Sequence, residues 1–246
     1  MARFFLSKEK IHGSRGVIDG QELAHLGRVL RLRAGDSVTV FDDSGWEHDA
    51  VIESVSAAQG ELKILRSYET ARESSLPITL AIGLTKGEKI DFVVEKATEL
   101  GVQTIVPFTS EYAVPKLDAE KIGKRTERWH KIAVSAAKQC GRTRVPEILP
   151  LCDYHRLVSQ PWPNMLKLIF WEKERDQSLR QVYERHGEVK AVLLAVGPEG
   201  GFTMEEVAAA RSQSFEPVHI GRRILRAETA ALAALALVQY LWGDLK

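Results

Sequence analysis

From residue 78 onward the chain alternates short apolar runs with amphipathic segments, and this alternation restricts its possible folds more than any other feature. Strands separated by helices pair in parallel, which predicts an α/β domain built on a parallel sheet. Ligands of such sheets bind beyond the carboxyl ends of the strands. The apolar runs predict strands at Ile78–Leu84, Thr104–Phe108, Leu166–Trp171, Ala191–Val196 and Val218–Ile220.

Three segments between and after these strands have helical patterns. Apolar residues recur on one face of Glu88–Leu100, and Gly101 follows where a helix commonly ends. Asp118–Cys140 carries basic residues at helical spacing, with Trp129 among them. Ala230–Trp242 is apolar on nearly every face, which predicts a helix that is buried on all sides.

The residues before this alternation are rich in β-structure signals. Ser37–Phe41 and Trp46–Val55 read as strands joined by a turn, and Glu61–Arg66 as a further short strand. Gln21–Arg33 has a helical pattern. The polar stretch Tyr68–Pro77 predicts a linker, so we expect a small β-barrel domain over residues 1–72 and an α/β domain over residues 73–246.

Composition places the chain among ordinary globular proteins, with 44% hydrophobic and 27% charged residues. Its two cysteines predict reduced thiols rather than a disulfide framework. Met1–Lys10 is charged without a long apolar core, and Ala230–Trp242 is too short to span a bilayer. We therefore expect a cytoplasmic protein without membrane contact. The seven histidines show no metal-binding spacing, so no metal site is expected.

Positive charge is concentrated in Lys116–Arg144, which holds nine basic and three acidic residues in a chain of net charge +1. Most charge runs are solvated helix faces, but this excess favours contacts with RNA phosphates. Residues 1–75 hold ten basic and twelve acidic residues, so any RNA contact there is local. The candidate RNA contacts are Arg28, Arg31, Lys86, Lys121, Arg125, Arg128, Arg142 and Arg144.

The motif Val196–Thr203 reads VGPEGGFT and stands between an apolar strand and a helix. Thr203 and Glu206 have the spacing of a capping box, and Phe202 and Val207 that of a hydrophobic staple. A plain strand–helix turn rarely needs three glycines, which predicts close approach of the backbone to another group. The pattern matches neither the dinucleotide nor the nucleotide-triphosphate glycine motif.

A second motif, IGRRILRAETA at Ile220–Ala230, precedes the last helix. Taken alone, this motif is explained equally well by a solvent-exposed basic loop before a helix and by a functional site. Together with KGEKIDFVVEKATELGV, ERWHKIAVSAAKQCGR and the first motif, it resembles the RsmE family of ribosomal RNA methyltransferases. At the N-terminus, RFF and HLGRVLRLRAGD resemble the PUA-like domain of that family.

The resemblance implies a trefoil-knotted SPOUT domain, a homodimer and methylation of N3 of one uridine in 16S rRNA of the small ribosomal subunit. It also implies S-adenosylmethionine as the cofactor, and Ala227 stands where the family pattern has threonine. Two alternatives are a knotted methyltransferase for another RNA such as tRNA, and a non-catalytic RNA-binding protein. The implied cofactor-binding residues are Val196, Gly197, Glu199, Gly200, Gly201, Ile220, Gly221, Ile224, Leu225, Arg226 and Thr229.

Two residues of the second motif are candidate catalytic residues. Uracil N3 carries a proton, so the site must stabilise a developing anion or remove that proton. Arg226 is placed to offer a fixed positive charge to a uracil carbonyl oxygen. Glu228 is a candidate either to orient Arg226 or to accept the proton. The competing interpretation is that Arg226 only caps the loop or pairs with Glu228.

Overall fold

The computed structural model describes residues 1–111 and 119–245. Lys116 and Asp118 of the basic segment lie outside these residues. Contacts between Cα atoms divide the chain into two compact units. One unit comprises Met1–Glu73 with Val134–Val145, and the other comprises Ser74–Ala133 with Pro146–Lys246. No helix of the described residues is long and apolar enough to cross a membrane.

The first unit is built on a six-stranded sheet with the strand order β1-β4-β5-β6-β3-β2. Only β1 and β4 pair in parallel; the other neighbours are antiparallel. In the first half of β6, from residue 60 to residue 64, buried and exposed residues alternate, because successive side chains of a strand point to opposite faces. The inward face forms an apolar core. The strands are β1 (Ala2–Phe5), β2 (Ile11–His12), β3 (Arg15–Ile18), β4 (Ser37–Phe41), β5 (Trp46–Val55) and β6 (Gly60–Glu69).

Strands β4 and β5 have the bounds expected from the sequence, but the helix of this unit is shorter than expected. The α-helix α1 (Gly20–Ala24) continues as a π-helical turn at His25–Val29 and stops there. The amide of Leu32 donates to the carbonyl oxygen of Leu26, and Arg31 has a φ of 55°. A residue in the left-handed conformation does not fit an α-helix, so the helix cannot continue to Arg33.

The second unit is built on a parallel sheet with the order β10-β8-β7-β12-β11-β13, and β9 also pairs with β8. Every residue of β7 and β12 is buried, which explains why these runs are apolar without alternation. The strands are β7 (Ile78–Gly83), β8 (Thr104–Thr109), β9 (Glu147–Ile148), β10 (Cys152–Asp153), β11 (Leu166–Phe170), β12 (Val192–Val196) and β13 (Glu216–Val218).

Six further helices occur in the described residues. The capping box expected from the sequence is present at α6, where Thr203 Oγ1 accepts from the Glu206 amide and Glu206 Oε2 accepts from the Thr203 amide. Phe202 and Val207 are buried in the same apolar cluster. The helices are α2 (Lys89–Glu99), α3 (Ala119–Cys140), α4 (Tyr154–Ser159), α5 (Leu179–His186), α6 (Met204–Ser212) and α7 (Ala227–Trp242).

Three sequence expectations require correction. Strand β6 extends through Glu69, so the first residues of the expected linker Tyr68–Pro77 are paired in the sheet. The last strand lies at Glu216–Val218, which leaves Ile220 in a loop. Helix α7 is not buried on all sides within this chain, because Leu237 and Tyr240 are 40% and 61% exposed.

Candidate cofactor-binding site

A cavity of about 450 Å³ opens in the second unit at the carboxyl ends of β11, β12 and β13. The loops that follow these three neighbouring strands form its walls. This position follows from the parallel sheet, because the carboxyl ends of parallel strands meet at one edge. The walls comprise Phe170–Glu172, Val196–Gly201, Val218–Ala227 and Ala230.

The glycine-rich loop after β12 packs against the end of the adjacent strand β7. A Cβ atom on Gly83 would lie 2.5 Å from the Pro198 nitrogen, closer than non-bonded atoms approach. Only glycine therefore fits at the end of β7 with the loop in its present position. At the other end of the loop, Gly201 has a φ of +71°, which favours glycine because it has no side chain.

Glu199 braces this loop on its outer side. Its Oε1 accepts hydrogen bonds from the Lys89 ammonium at 2.9 Å and from the Lys86 amide at 3.2 Å. Partial burial acts to raise the pKa of the Glu199 carboxyl, but the bonds from Lys89 and from backbone amides outweigh it and hold that pKa below its ordinary value. Glu199 is therefore ionised at neutral pH and links the loops after β7 and β12.

The carboxyl end of the glycine-rich loop is fixed by its neighbours. The Trp171 indole nitrogen donates to the carbonyl oxygen of Phe202 at 3.3 Å, which ties the end of β11 to the loop. Glu206 Oε1 accepts from the Glu111 amide at 3.0 Å, in addition to its role in the capping box. These contacts hold the start of α6 against the ends of β8 and β11.

The loop after β13 forms the opposite wall and is more open. Ile224 is 78% exposed and Leu225 is half-buried, so the cavity has an accessible apolar side. Arg222, Arg223 and Arg226 are exposed on the same loop. The cavity thus combines an apolar wall, backbone amides and carbonyls, and a cationic rim.

The cavity brings together most of the cofactor-binding residues expected from the sequence. Thr229 is the exception: it is exposed in the first turn of α7 and does not line the cavity. The sequence reasoning missed Phe170, Trp171 and Glu172, because they lie at and just beyond the end of an ordinary apolar strand without a glycine motif. The expected residues that line it are Val196, Gly197, Glu199, Gly200, Gly201, Ile220, Gly221, Ile224, Leu225 and Arg226.

The two candidate catalytic residues lie at the start of α7. Arg226 is the N-cap residue, is exposed and lines the cavity. Glu228 does not line the cavity, and its Oε2 is buried without a hydrogen-bond partner. No ion pair joins the two side chains in the described structure. A group of three or more metal-ligating side chains is likewise absent from residues 1–111 and 119–245.

The candidate RNA contacts divide by exposure. Arg28, Arg31 and Lys86 are exposed. On helix α3, Lys121 and Arg128 are exposed and Arg125 is half-buried; Arg128 also pairs with Glu88 and Asp91. Exposed Arg144 donates to the Ser44 carbonyl oxygen at 2.8 Å.

Arg142 requires a correction. Its side chain is buried, and its Nε and Nη2 donate to Glu73 Oε2 at 2.9 and 2.8 Å. The same glutamate accepts from the amides of Thr143 and Arg144. A guanidinium held in this way stabilises the first unit and does not reach a phosphate, so we remove Arg142 from the candidate RNA contacts.

We expect Gly83→Ala to destabilise the protein by about 1–3 kcal/mol, because the added methyl group forces Pro198 and its loop to move. The matched control is Gly123→Ala on helix α3, where an added Cβ meets nothing within 4 Å. Alanine stabilises a helix interior by roughly 0.5–1 kcal/mol relative to glycine. Thermal unfolding of both variants checks the prediction, and equal melting temperatures would contradict it.

Comparison with known proteins also divides the chain into two parts. The family model described as an RNA methyltransferase domain matches residues 72–239, and that of an RNA methyltransferase PUA domain matches residues 18–65. The ribosomal RNA small subunit methyltransferase E of Bacillus subtilis is 31% identical over 98% of this chain and 96% of its own length. That of Synechocystis is 32% identical over 97% of this chain and 77% of its own length.

Two similar solved structures were determined with S-adenosylmethionine. The ribosomal RNA small subunit methyltransferase E of Neisseria gonorrhoeae is 36% identical, covers all of both chains and superposes with a TM-score of 0.88. A methyltransferase of Legionella pneumophila is 34% identical over 99% of this chain and 98% of its own, with a TM-score of 0.92. The expected class, a PUA-like unit before a parallel-sheet methyltransferase unit, is confirmed. The chain belongs to the RsmE family of RNA methyltransferases.

Proposed function

We propose that this protein transfers a methyl group from S-adenosylmethionine to N3 of a uridine in 16S ribosomal RNA of the small subunit. The observation that carries the proposal is the cavity formed by the two motif loops. The names of the relatives and the bound S-adenosylmethionine of the two solved structures support it. We also propose that the protein acts in the cytoplasm.

The residues of the cavity fit this cofactor. S-adenosylmethionine has no phosphates, so it needs an apolar slot for adenine and backbone groups for the polar edges of the base. Val196, Val218 and Leu225 supply apolar surface, and the close-packed glycine loop exposes its amides and carbonyls. A volume of about 450 Å³ lies within the usual range of small-molecule sites, which is roughly 300–1,000 Å³.

When bound, the cofactor supplies an electrophilic methyl group on a sulfonium. The protein must hold the uracil in line with that group, since alignment of two bound reactants provides much of the rate of a direct displacement. Arg226 lies on the rim of the cavity, where its guanidinium stabilises negative charge on a uracil carbonyl oxygen as N3 loses its proton. The unpartnered Oε2 of Glu228 is the nearby group suited to accept that proton, through water or after a side-chain movement.

We propose RNA contacts at Arg28, Arg31, Lys86 and Arg144, and along one face of helix α3. Lys121, Arg125 and Arg128 follow one another by four and three residues, so they lie on the same face of the helix. The match of residues 18–65 to a PUA domain of RNA methyltransferases supports a contribution of the first unit.

We further propose that residues 1–72 form the PUA-like domain and residues 73–246 a trefoil-knotted methyltransferase domain. The ranges of the two family models support this division. The contact units differ from it in two respects, because Glu73 and Val134–Val145 both group with the first unit.

The reaction is tested by mass spectrometry of ribosomal RNA nucleosides from a strain that lacks the gene and from the same strain with the gene restored. Loss of N3-methyluridine from 16S RNA, and its return on restoration, is the expected result. Loss of a methylated nucleoside from tRNA alone would favour the alternative substrate, and no change in any RNA would favour a non-catalytic role.

We expect Arg226→Ala to lower single-turnover methylation by roughly 10²-fold or more, because it removes a preorganised charge from the transition state. Cofactor affinity should fall far less than turnover, and the melting temperature should change little. The control is Arg180→Ala on helix α5, an exposed arginine that does not line the cavity. A stable Arg226→Ala variant with near-normal turnover would remove Arg226 from the mechanism.

Binding to RNA should weaken with salt, and the triple variant Lys121→Ala, Arg125→Ala, Arg128→Ala should show a smaller dependence. Each lost phosphate contact lowers the slope of log affinity against log salt by about one. Arg156→Ala, an exposed arginine on α4, is the control and should leave the slope unchanged. If the triple variant keeps the wild-type slope, these three side chains face solvent and do not contact RNA phosphates.

We propose a homodimer in which the exposed apolar side of helix α7 meets its copy across a two-fold axis. Leu237 and Tyr240 of α7 are exposed, and so is Phe92 of the neighbouring helix α2. Replacement of Leu237 and Tyr240 by glutamate should give a monomer in light scattering at micromolar concentration. A wild-type monomer with full activity would contradict the proposal.

A further inference from the structure

Glu172 is the acidic residue of the cavity wall that neither motif contains. It stands two positions beyond the end of strand β11, and its side chain is half-buried. A Cβ atom built on Gly201 would lie 2.8 Å from each of its carboxylate oxygens. The carboxylate therefore lies flat against the glycine-rich loop, at the surface of the cavity.

This carboxylate has unused hydrogen-bonding capacity. Within residues 1–111 and 119–245, no side chain or amide donates to it and no cation pairs with it. The nearby Arg175 guanidinium donates instead to the backbone carbonyl oxygens of Glu172 and Glu174, at 2.6 and 3.0 Å. The other carboxylate of the cavity wall, Glu199, already accepts from Lys86 and Lys89. Glu172 is thus the anionic acceptor that remains for a ligand.

The position of Glu172 in the sheet indicates what it accepts. Strands β11 and β12 are parallel neighbours, with Phe170 paired with Val196. A glycine-rich turn therefore follows one strand, and an acidic side chain follows the strand beside it. Dinucleotide-binding sheets use the same layout, in which the glycines admit the ligand backbone and the acidic side chain accepts from ribose hydroxyls. The motif of this chain differs from theirs, so the likeness is one of geometry.

We propose that Glu172 is a cofactor-binding residue whose carboxylate accepts hydrogen bonds from the ribose hydroxyls of S-adenosylmethionine. The inference rests on the proposed function. A methyl group on Gly201 would displace this carboxylate from the cavity wall, because it would lie 2.8 Å from both oxygens. When a ligand covers the cavity, the carboxylate loses water and needs these donors, because a buried unpaired charge is costly.

Calorimetry with three probes tests the assignment. S-adenosylhomocysteine contains the whole nucleoside and the amino acid; 5′-methylthioadenosine keeps the ribose and lacks the amino acid; its 2′-deoxy analogue also lacks one hydroxyl. Glu172→Gln should weaken the first two probes by the same factor, roughly 10- to 100-fold, as expected for hydrogen bonds to a charged group. It should change the affinity of the deoxy analogue much less. Glu205→Gln, an exposed glutamate of α6, is the control and should leave all three affinities unchanged.

The outcomes separate this inference from the proposed function. If the wild type binds none of the probes, the proposed function fails and the inference fails with it. If the wild type binds S-adenosylhomocysteine and Glu172→Gln binds it equally well, only the inference is overturned. A loss confined to S-adenosylhomocysteine would place the carboxylate at the amino group and overturn the ribose assignment. If Glu172→Gln unfolds early, the wild type still decides: equal affinity for methylthioadenosine and its deoxy analogue would overturn the inference.

Discussion

The close approach of the glycine-rich loop to the strands on either side of it is the constraint on which the site depends. Strand β12 lies between β7 and β11 in the sheet, so the loop that follows it must turn between the ends of both. On one side Pro198 occupies the space that a side chain at Gly83 would need, and on the other Glu172 covers Gly201. Gly83 and Gly201 are therefore needed for packing of the loop against neighbouring residues, as well as for close approach of a ligand. The glycine-rich wall of the cavity is thus packed against protein on both sides.

Charge in this protein is divided between structural and accessible groups. Arg142 and Glu73 are paired within the first unit, and Glu199 is tied to Lys89. Arg226 and Glu172 have no such partner among the described residues, and both line the cavity. The two groups proposed to act on the uracil and on the cofactor ribose, Arg226 and Glu172, are therefore not paired with other charged side chains of the described residues.

Sequence patterns predicted the local structure well where one periodicity dominates. Ser37–Phe41 and Trp46–Val55 alternate or contain β-branched residues, and both are strands with the expected bounds. The capping box at Thr203 was predictable because it depends on residues only three positions apart. The helix expected over Gln21–Arg33 ends early because Arg31 has a φ of 55° and the Leu32 amide donates to the Leu26 carbonyl oxygen, six residues earlier. The helical pattern of the sequence does not indicate at which residue such a left-handed conformation ends the helix.

The sequence by itself determined the fold class, the family and the two loops that form most of the cavity, because these depend on periodicity and on contiguous motifs. Only the tertiary structure decided which charges are available. Arg142 belongs to a basic run in the sequence, yet Glu73, 69 residues earlier in the chain, buries and pairs it. Glu172 belongs to no motif, yet the pairing of β11 with β12 brings it to the cavity wall. Partners so distant in sequence are set by strand order and packing, which one-dimensional patterns do not encode.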